Sequence, residues 1–299
     1  MVHKTALRPW QENALQLFEE LPKRVFTRAE LTQLLYANSD RLDAPRTLST
    51  TRFITFLEEQ GSLKHIEINP APREKTTDTV YKSFKRYVWG IASPLEMALS
   101  LRSGSYLTHA SAVFLHALTD QLPKTAYANK EQSPKPSGGS LTQQAIDRAF
   151  ANQPRTSNYV FEYDQNRLVL LSGKNTGRLE VVTTSGANGE LFDVTGLERT
   201  LIDITVRPVY AGGPFEVLKA FEGAKDRVSV GTLIATLRRL EYLYPYHQAI
   251  GFYMERAGYR SALLDRIASL GIEYSFYLTN RMPEKKHDSR WRIYYPEGF

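Results

Sequence analysis

Residues Val194–Pro208 read V-T-G-L-E-R-T-L-I-D-I-T-V-R-P. Thr195 and Glu198 have capping-box spacing, with a hydroxyl for a free N–H at the helix start and a carboxylate reaching back. Leu197, Leu201 and Ile204 then recur at helical spacing and predict one apolar face. Arg199 and Asp203, four apart, are neighbours on another face and predict an exposed ion pair. Pro208 and Gly212-Gly213-Pro214 end this helix and begin a new element. Upstream, Tyr159–Tyr163, Arg167–Leu171, Arg178–Val182 and Leu191–Val194 have strand composition and are separated by Asn, Asp and Gly turn signals. Downstream, Phe215–Phe221, Val230–Leu240, Tyr246–Ala257 and Arg260–Leu270 carry apolar helical stripes. Val194–Pro208 is therefore the joint between a small, mostly antiparallel sheet and a set of helices, and the fold class is α+β. Ser275–Leu278 and Arg290–Tyr294 read as closing strands around a charged hairpin loop. The tyrosines at 242, 244, 246, 253 and 259 suit core edges or an interface.

Further toward the N-terminus, Ser93, Pro94 and Glu96 supply an N-cap, a first-turn proline and a capping acid. A second helix, rich in small residues, is expected from Thr108. Glu131–Ser140, E-Q-S-P-K-P-S-G-G-S, reads as a mobile surface loop, followed by a polar, partly helical piece over Leu141–Ala151.

The first ninety residues have their own pattern. Trp10, Ala14, Leu17, Phe18 and Leu21 recur at helical spacing between Pro9 and Pro22. Thr27 and Glu30 cap a second helix with Leu31, Leu34 and Leu35 on its apolar face. T-L-S-T-T-R-F-I-T-F-L-E-E-Q-G predicts a third, with Phe53, Ile54 and Leu57 inward and Gly61 as its stop. Leu63–Ile68 alternates as a strand, and Phe84–Trp89 reads as its return. Three short helices and a hairpin form the order of a winged helix-turn-helix, so the expected domains are 1–90 and 91–299. In that geometry the third helix enters the DNA major groove. Arg46, Thr47, Ser49, Thr50, Arg52 and Thr55 are the candidate phosphate and base contacts. Arg73, Lys75, Lys82, Lys85 and Arg86 are the candidate wing cations. Glu58 and Glu59 would repel DNA at the far end of the helix, and protein recognition is the other use of such a module.

The 299 residues, 42% hydrophobic and 23% charged, have the composition of a folded protein. With no cysteine, disulfides, thiolate nucleophiles and cysteine zinc sites are excluded, and a reducing cytoplasm is the expected compartment. The N-terminus lacks an apolar signal core, and no run approaches the ~20 apolar residues that span a bilayer. A formal charge of +6 fits a polyanionic partner. The sequence has no Walker lysine loop, Rossmann fingerprint, H-E-x-x-H or G-x-S-x-G elbow. No catalytic residue, cofactor or metal is therefore assigned. His109 and His116, seven apart, find no third ligand nearby in sequence. Glu162, Asp164, Asp193, Glu198 and Asp203 could form a nuclease carboxylate cluster only by tertiary convergence, because Glu198 and Asp203 do not share a helix face.

The winged helix is followed by S-P-L-E-M-A-L-S-L-R-S-G-S-Y-L-T-H-A-S-A-V-F-L-H-A-L-T, V-T-G-L-E-R-T-L-I-D, R-P-x-x-A-G-G and A-I-G-F-Y-M-E-R-A-G-Y. In this order the blocks resemble the AbiEi family, antitoxins of AbiE-type, type IV toxin–antitoxin and phage-abortive systems. The resemblance covers most of the chain from Arg46 onward. It implies a bacterial cytoplasmic protein that binds double-stranded DNA repeats in its own promoter and represses its operon. It also implies that the C-terminal domain counteracts a cognate nucleotidyltransferase toxin without requiring a stable complex. Glu198, Arg199, Asp203 and Arg207 carry the antitoxin-domain motif, and Arg199, Arg207, Arg238 and Arg239 are candidates for a basic C-terminal surface. Two alternatives remain: a stand-alone regulator with a sensory or interaction domain, and a nuclease-like defence effector.

Overall fold

The computed structural model describes residues 7–72, 81–134 and 139–299. Helix α1 (Pro9–Glu20) is followed by strand β1 (Val25–Phe26), α2 (Arg28–Ala37), α3 (Thr50–Glu59), β2 (Leu63–Pro70) and β3 (Phe84–Trp89). The caps form as the spacing predicts. Glu30 N–H donates to Thr27 Oγ1 at 3.2 Å, and Thr27 N–H donates to the Glu30 carboxylate at 2.7 Å. A core of Trp10, Phe18, Leu31, Leu35, Phe53 and Leu57 joins the three helices to the hairpin, with the Phe18 ring centroid 4.9 Å from that of Trp89.

The middle of the chain supplies α4 (Pro94–Ser100), β4 (Tyr106–Leu107), α5 (Ala110–Leu115), β5 (Thr125–Asn129), α6 (Gln143–Ala151), β6 (Val160–Tyr163), β7 (Asn166–Leu171), β8 (Val181–Ser185) and β9 (Leu191–Thr195). Then come α7 (Leu197–Val206), a 3-10 turn (Pro208–Ala211), α8 (Pro214–Ala224), α9 (Val230–Leu240), α10 (Tyr246–Arg256) and α11 (Ser261–Ala268). The chain closes with β10 (Phe276–Tyr277), β11 (Lys285–Asp288) and β12 (Ile293–Pro296). Among the described residues no helix is long and apolar enough to cross a membrane.

The sheet is larger than the sequence predicts. Nine strands run in the order β1-β3-β2-β6-β7-β5-β4-β9-β8. Strand β2 carries Asn69 and Pro70 beyond the hairpin to pair with Glu162 and Phe161 of β6, so one hydrogen-bonded sheet passes from the first ninety residues into the rest. Two pairings within this nine-stranded sheet are parallel: β5 with β7 from Thr125↔Arg167 to Asn129↔Leu171, and β4 with β9 at Leu107↔Val194. Strand β4 lies just ahead of the helix predicted from Thr108, and β5 is the strand-like sequence that precedes the predicted loop at Glu131–Ser140. Strand β8 begins at Val181 rather than Arg178, because Gly177, Arg178 and Glu180 all have positive φ, which a strand does not accommodate. The charged segment before the C-terminus is strand β11, paired with β12.

The helices after β9 bury a separate core of Ile202, Phe221, Leu233, Ile250, Phe252 and Trp291. The opening of α7 differs from the predicted capping box. Its N-cap is Gly196, while Thr195 ends β9 and bonds Thr200 Oγ1 through its hydroxyl at 2.8 Å. The Glu198 carboxylate instead accepts the Ser229 N–H at 2.7 Å and so ties α7 to the start of α9. Most of α7 is buried, with Arg199 to Thr205 enclosed without a break.

Candidate functional site

Two surfaces collect the residues singled out by sequence. On α3, Phe53, Ile54, Phe56 and Leu57 face the core, which leaves Thr51, Arg52 and Thr55 exposed on the other side. Ser49 caps the helix by accepting the Arg52 N–H at 3.3 Å. Arg46, Thr47 and Ser49 are exposed on the turn leading in, and Thr50 is half-buried. Arg28, at the start of α2, donates to Thr51 Oγ1 at 2.7 Å and adds a cation the sequence reading passed over. Glu58 is half-buried and Glu59 exposed at the far end of the helix.

On the hairpin, Lys64, Lys82 and Lys85 are exposed, with Lys85 across from Glu67 in the register. Arg86 is a correction. It is 7% exposed, and its Nε donates to Ser100 O at 3.0 Å and to Ser100 Oγ at 3.1 Å. Adjacent strand residues point to opposite faces, so Lys85 reaches solvent while Arg86 turns in and satisfies a carbonyl at the end of α4. Burial depresses its pKa, and it is not placed to meet a phosphate. Arg73 and Lys75 lie outside the described residues.

The second site is built around α7. Arg199 and Asp203 form the predicted pair, but their side chains are only 5% and 7% exposed, with Nε 2.8 Å from Oδ1. The exposed ion pair expected from sequence is thus a buried one, because α7 is covered on several faces rather than one. Arg199 also donates from Nη1 to Leu179 O at 2.9 Å. Burial works against its charge, yet the Asp203 carboxylate offsets that by charge and hydrogen bond, and the guanidinium pKa rises. Arg199 is therefore no part of an exposed basic surface, whereas Arg207, Arg238 and Arg239 are exposed.

The other Asp203 oxygen, Oδ2, accepts from Thr108 Oγ1 at 3.1 Å, and Thr108 Oγ1 lies 3.1 Å from Nδ1 of His109. A carboxylate only accepts, so the single hydroxyl proton of Thr108 goes to Asp203. The imidazole must then supply the proton for the second contact, which makes His109 the Nδ1–H tautomer with a lone pair on Nε2. Burial holds the His109 pKa down to about 4, with Arg199 and Arg207 pushing the same way and Asp203 against. His109 also has φ 52° and ψ −131°, a conformation that costs a non-glycine residue about 1–3 kcal/mol.

This cluster opens into a cavity of about 1380 Å³ where β5 and β7 end and β6 begins. His109, Arg155, Tyr159, Arg207, Tyr210 and Tyr242 are among its walls. The sequence reading weighed His109 only as a metal partner of His116, whose Nε2 instead donates to Thr195 O at 2.7 Å. The carboxylates considered for a nuclease are likewise dispersed: Asp193 pairs with Arg178 at 2.5 Å, Glu198 meets Ser229, and Asp203 meets Arg199. Among the described residues no three His, Asp or Glu side chains gather to hold a metal ion.

No family model matches this sequence, and no curated protein does. Among solved structures the chain is similar to the crystal structure of the RV2827C protein from Mycobacterium tuberculosis, with a TM-score of 0.54 at 13% identity. The match covers 97% of this chain and 92% of that one, so the likeness extends over the whole α+β architecture. At that identity it concerns the fold alone.

Proposed function

We propose that this chain is a double-stranded-DNA-binding antitoxin and autorepressor, with the first ninety residues acting as a winged helix. The observation that carries the DNA reading is the outer face of α3. Thr51, Arg52 and Thr55 stand clear of the core, and Arg46 and Thr47 extend the same polar surface. Lys82 and Lys85 on the hairpin would then follow the phosphate backbone. Counteraction of a nucleotidyltransferase toxin rests on the family resemblance of the E-R-T-L-I-D and A-I-G-F-Y-M-E-R-A-G-Y blocks.

The test is fluorescence anisotropy at fixed salt with the DNA upstream of the chain's own gene. Replacing Arg46, Arg52 and Lys85 together by Ala should weaken binding at least ~10-fold and flatten its salt dependence. Unchanged affinity would sink the DNA assignment. Growth rescue on co-expression with an adjacent nucleotidyltransferase gene tests the antitoxin role, and no rescue by the full chain removes it. The cavity beside α7 favours a second reading, a regulator with a sensory C-terminal part. A gene neighbourhood without a nucleotidyltransferase would select that reading.

A further inference from the structure

Four cations and two carboxylates are among the described residues that line the cavity: Arg155, Lys174, Arg199 and Arg207 against Asp203 and Glu241. Arg199 is neutralised by Asp203, and Lys174 is occupied with Leu240 O at 2.6 Å and Glu241 O at 3.1 Å. Arg155 and Arg207 are exposed, and neither has a carboxylate partner among the described residues. The Arg207 guanidinium donates only a long bond, 3.4 Å, to Arg155 O among the described residues. Two guanidinium groups at one mouth suit a phosphate, which they can grip through paired N–H donors.

The inner end has a different chemistry. His109 is neutral at physiological pH, and the Asp203–Thr108 chain fixes its tautomer, so Nε2 is an acceptor. That nitrogen has no hydrogen-bond partner among the described residues, and neither does the Tyr242 hydroxyl. A bare anion cannot use a lone pair; a ligand with an N–H or O–H group can. Tyr159, on the same cavity wall, is 39% exposed and has its ring centroid 4.5 Å from that of Tyr81. Such a ring offers a stacking face to a flat heterocycle.

We propose that this cavity binds a nucleoside phosphate, with phosphate at Arg155 and Arg207, the base against Tyr159, and an N–H or O–H of the nucleoside donating to His109 Nε2. The volume of about 1380 Å³ exceeds what a mononucleotide needs, leaving room for bridging water. The backbone conformation of His109 accords with this role, since a strained residue at a cavity wall holds its ring where relaxed backbone would not. The site is remote in sequence from α3 and does not depend on whether that helix meets DNA.

Calorimetric titration of the full chain tests the assignment, with ATP, GTP, CTP and UTP as probes beside tripolyphosphate, ribose 5-phosphate and the four nucleosides. At least one nucleotide should bind, with tripolyphosphate, ribose 5-phosphate and its own nucleoside each at least ~10-fold weaker. Replacing Arg155 and Arg207 together by Ala should weaken the nucleotide at least ~10-fold and leave any nucleoside binding unchanged. The Arg46/Arg52/Lys85 triple variant should bind it as the parent does. No nucleotide binding at millimolar concentration overturns the proposal. So does tripolyphosphate or ribose 5-phosphate binding as tightly as the nucleotide, or an unaffected Arg155/Arg207 variant. His109→Ala can fail to fold; Arg155 and Arg207 are exposed, and their variants keep the outcome decisive.

Discussion

Asp203 is surrounded by donors: Arg199 Nε at 2.8 Å and Thr108 Oγ1 at 3.1 Å. Replacing Arg199 by Met leaves that carboxylate buried and half-partnered, and the expected loss in urea denaturation is about 3–5 kcal/mol. Removing the charge on both sides, with Arg199→Met and Asp203→Leu, should recover much of it, because neither ion then needs solvation. His109 predicts a pH dependence of opposite origin. Its folded pKa is held down to about 4, against an unfolded value of 6.5, so between those values the unfolded chain binds more protons. Stability should therefore be full above pH 6.5 and fall as pH drops toward 4, by about 3 kcal/mol from this group. A flatter profile in His109→Gln checks the assignment. The pairing of Arg199 with Asp203 was legible from their spacing, but their burial was not. An i,i+4 relation fixes which residues adjoin and says nothing of what covers them. The available signal was that Thr200, Leu201, Ile202 and Ile204 put uncharged side chains on more than one face of α7. Thr108 and His109 gave no such signal, since their partner lies 95 residues from Thr108.

At the level of the element, α9 and α10 follow from their stripes almost to the residue, because amphipathic helices state their own period. Strand β5 could not be read this way. T-A-Y-A-N is short and buried on both sides in part, and its neighbour β7 is joined by a parallel pairing that no hairpin signal announces. The family-like block A-I-G-F-Y-M-E-R gains a physical account. A Cβ on Gly251 would lie 2.1 Å from Cζ3 of Trp291, so the glycine is the seat of that ring on α10. Trp291 is fully buried and its Nε1 donates to the Glu255 carboxylate at 2.6 Å. Gly251→Ala should destabilise the chain by about 3 kcal/mol, the upper end of overpacking costs, despite the better helix propensity of alanine. The double variant Gly251→Ala/Trp291→Leu should lose less than the two single losses combined, and additive losses would separate the glycine from the tryptophan. Two residues further on, Tyr253 is fully buried with no partner for its hydroxyl among the described residues. Tyr253→Phe is expected to be neutral or stabilising by up to about 1 kcal/mol in the same assay.

Over the whole molecule, the separation into 1–90 and 91–299 expected from sequence meets a sheet that crosses it. Sequence shows where a hairpin begins and turns; it does not show that β2 runs two residues past its partner to take up β6. Beyond that pairing, Ala71 N–H donates to Val160 O at 2.9 Å, and Arg86 grips α4. Val25, Ile68 and Val88 from the first ninety residues share one apolar cluster with Met97, Leu107 and Phe161. These links predict cooperative unfolding. Trp89 reports on the first part and Trp291 on the last, so variants retaining only one of them should give coincident urea curves. Two separated midpoints would show that the sheet junction is too weak to couple the parts. A chain beginning at Ser93 would lose β2 and uncover both the edge of β6 and the apolar faces of Phe161 and Met97. Exposed edges and apolar patches favour association. That fragment should melt below the full chain and self-associate in size-exclusion chromatography; a monomeric fragment of unchanged stability would make the first ninety residues an independent unit.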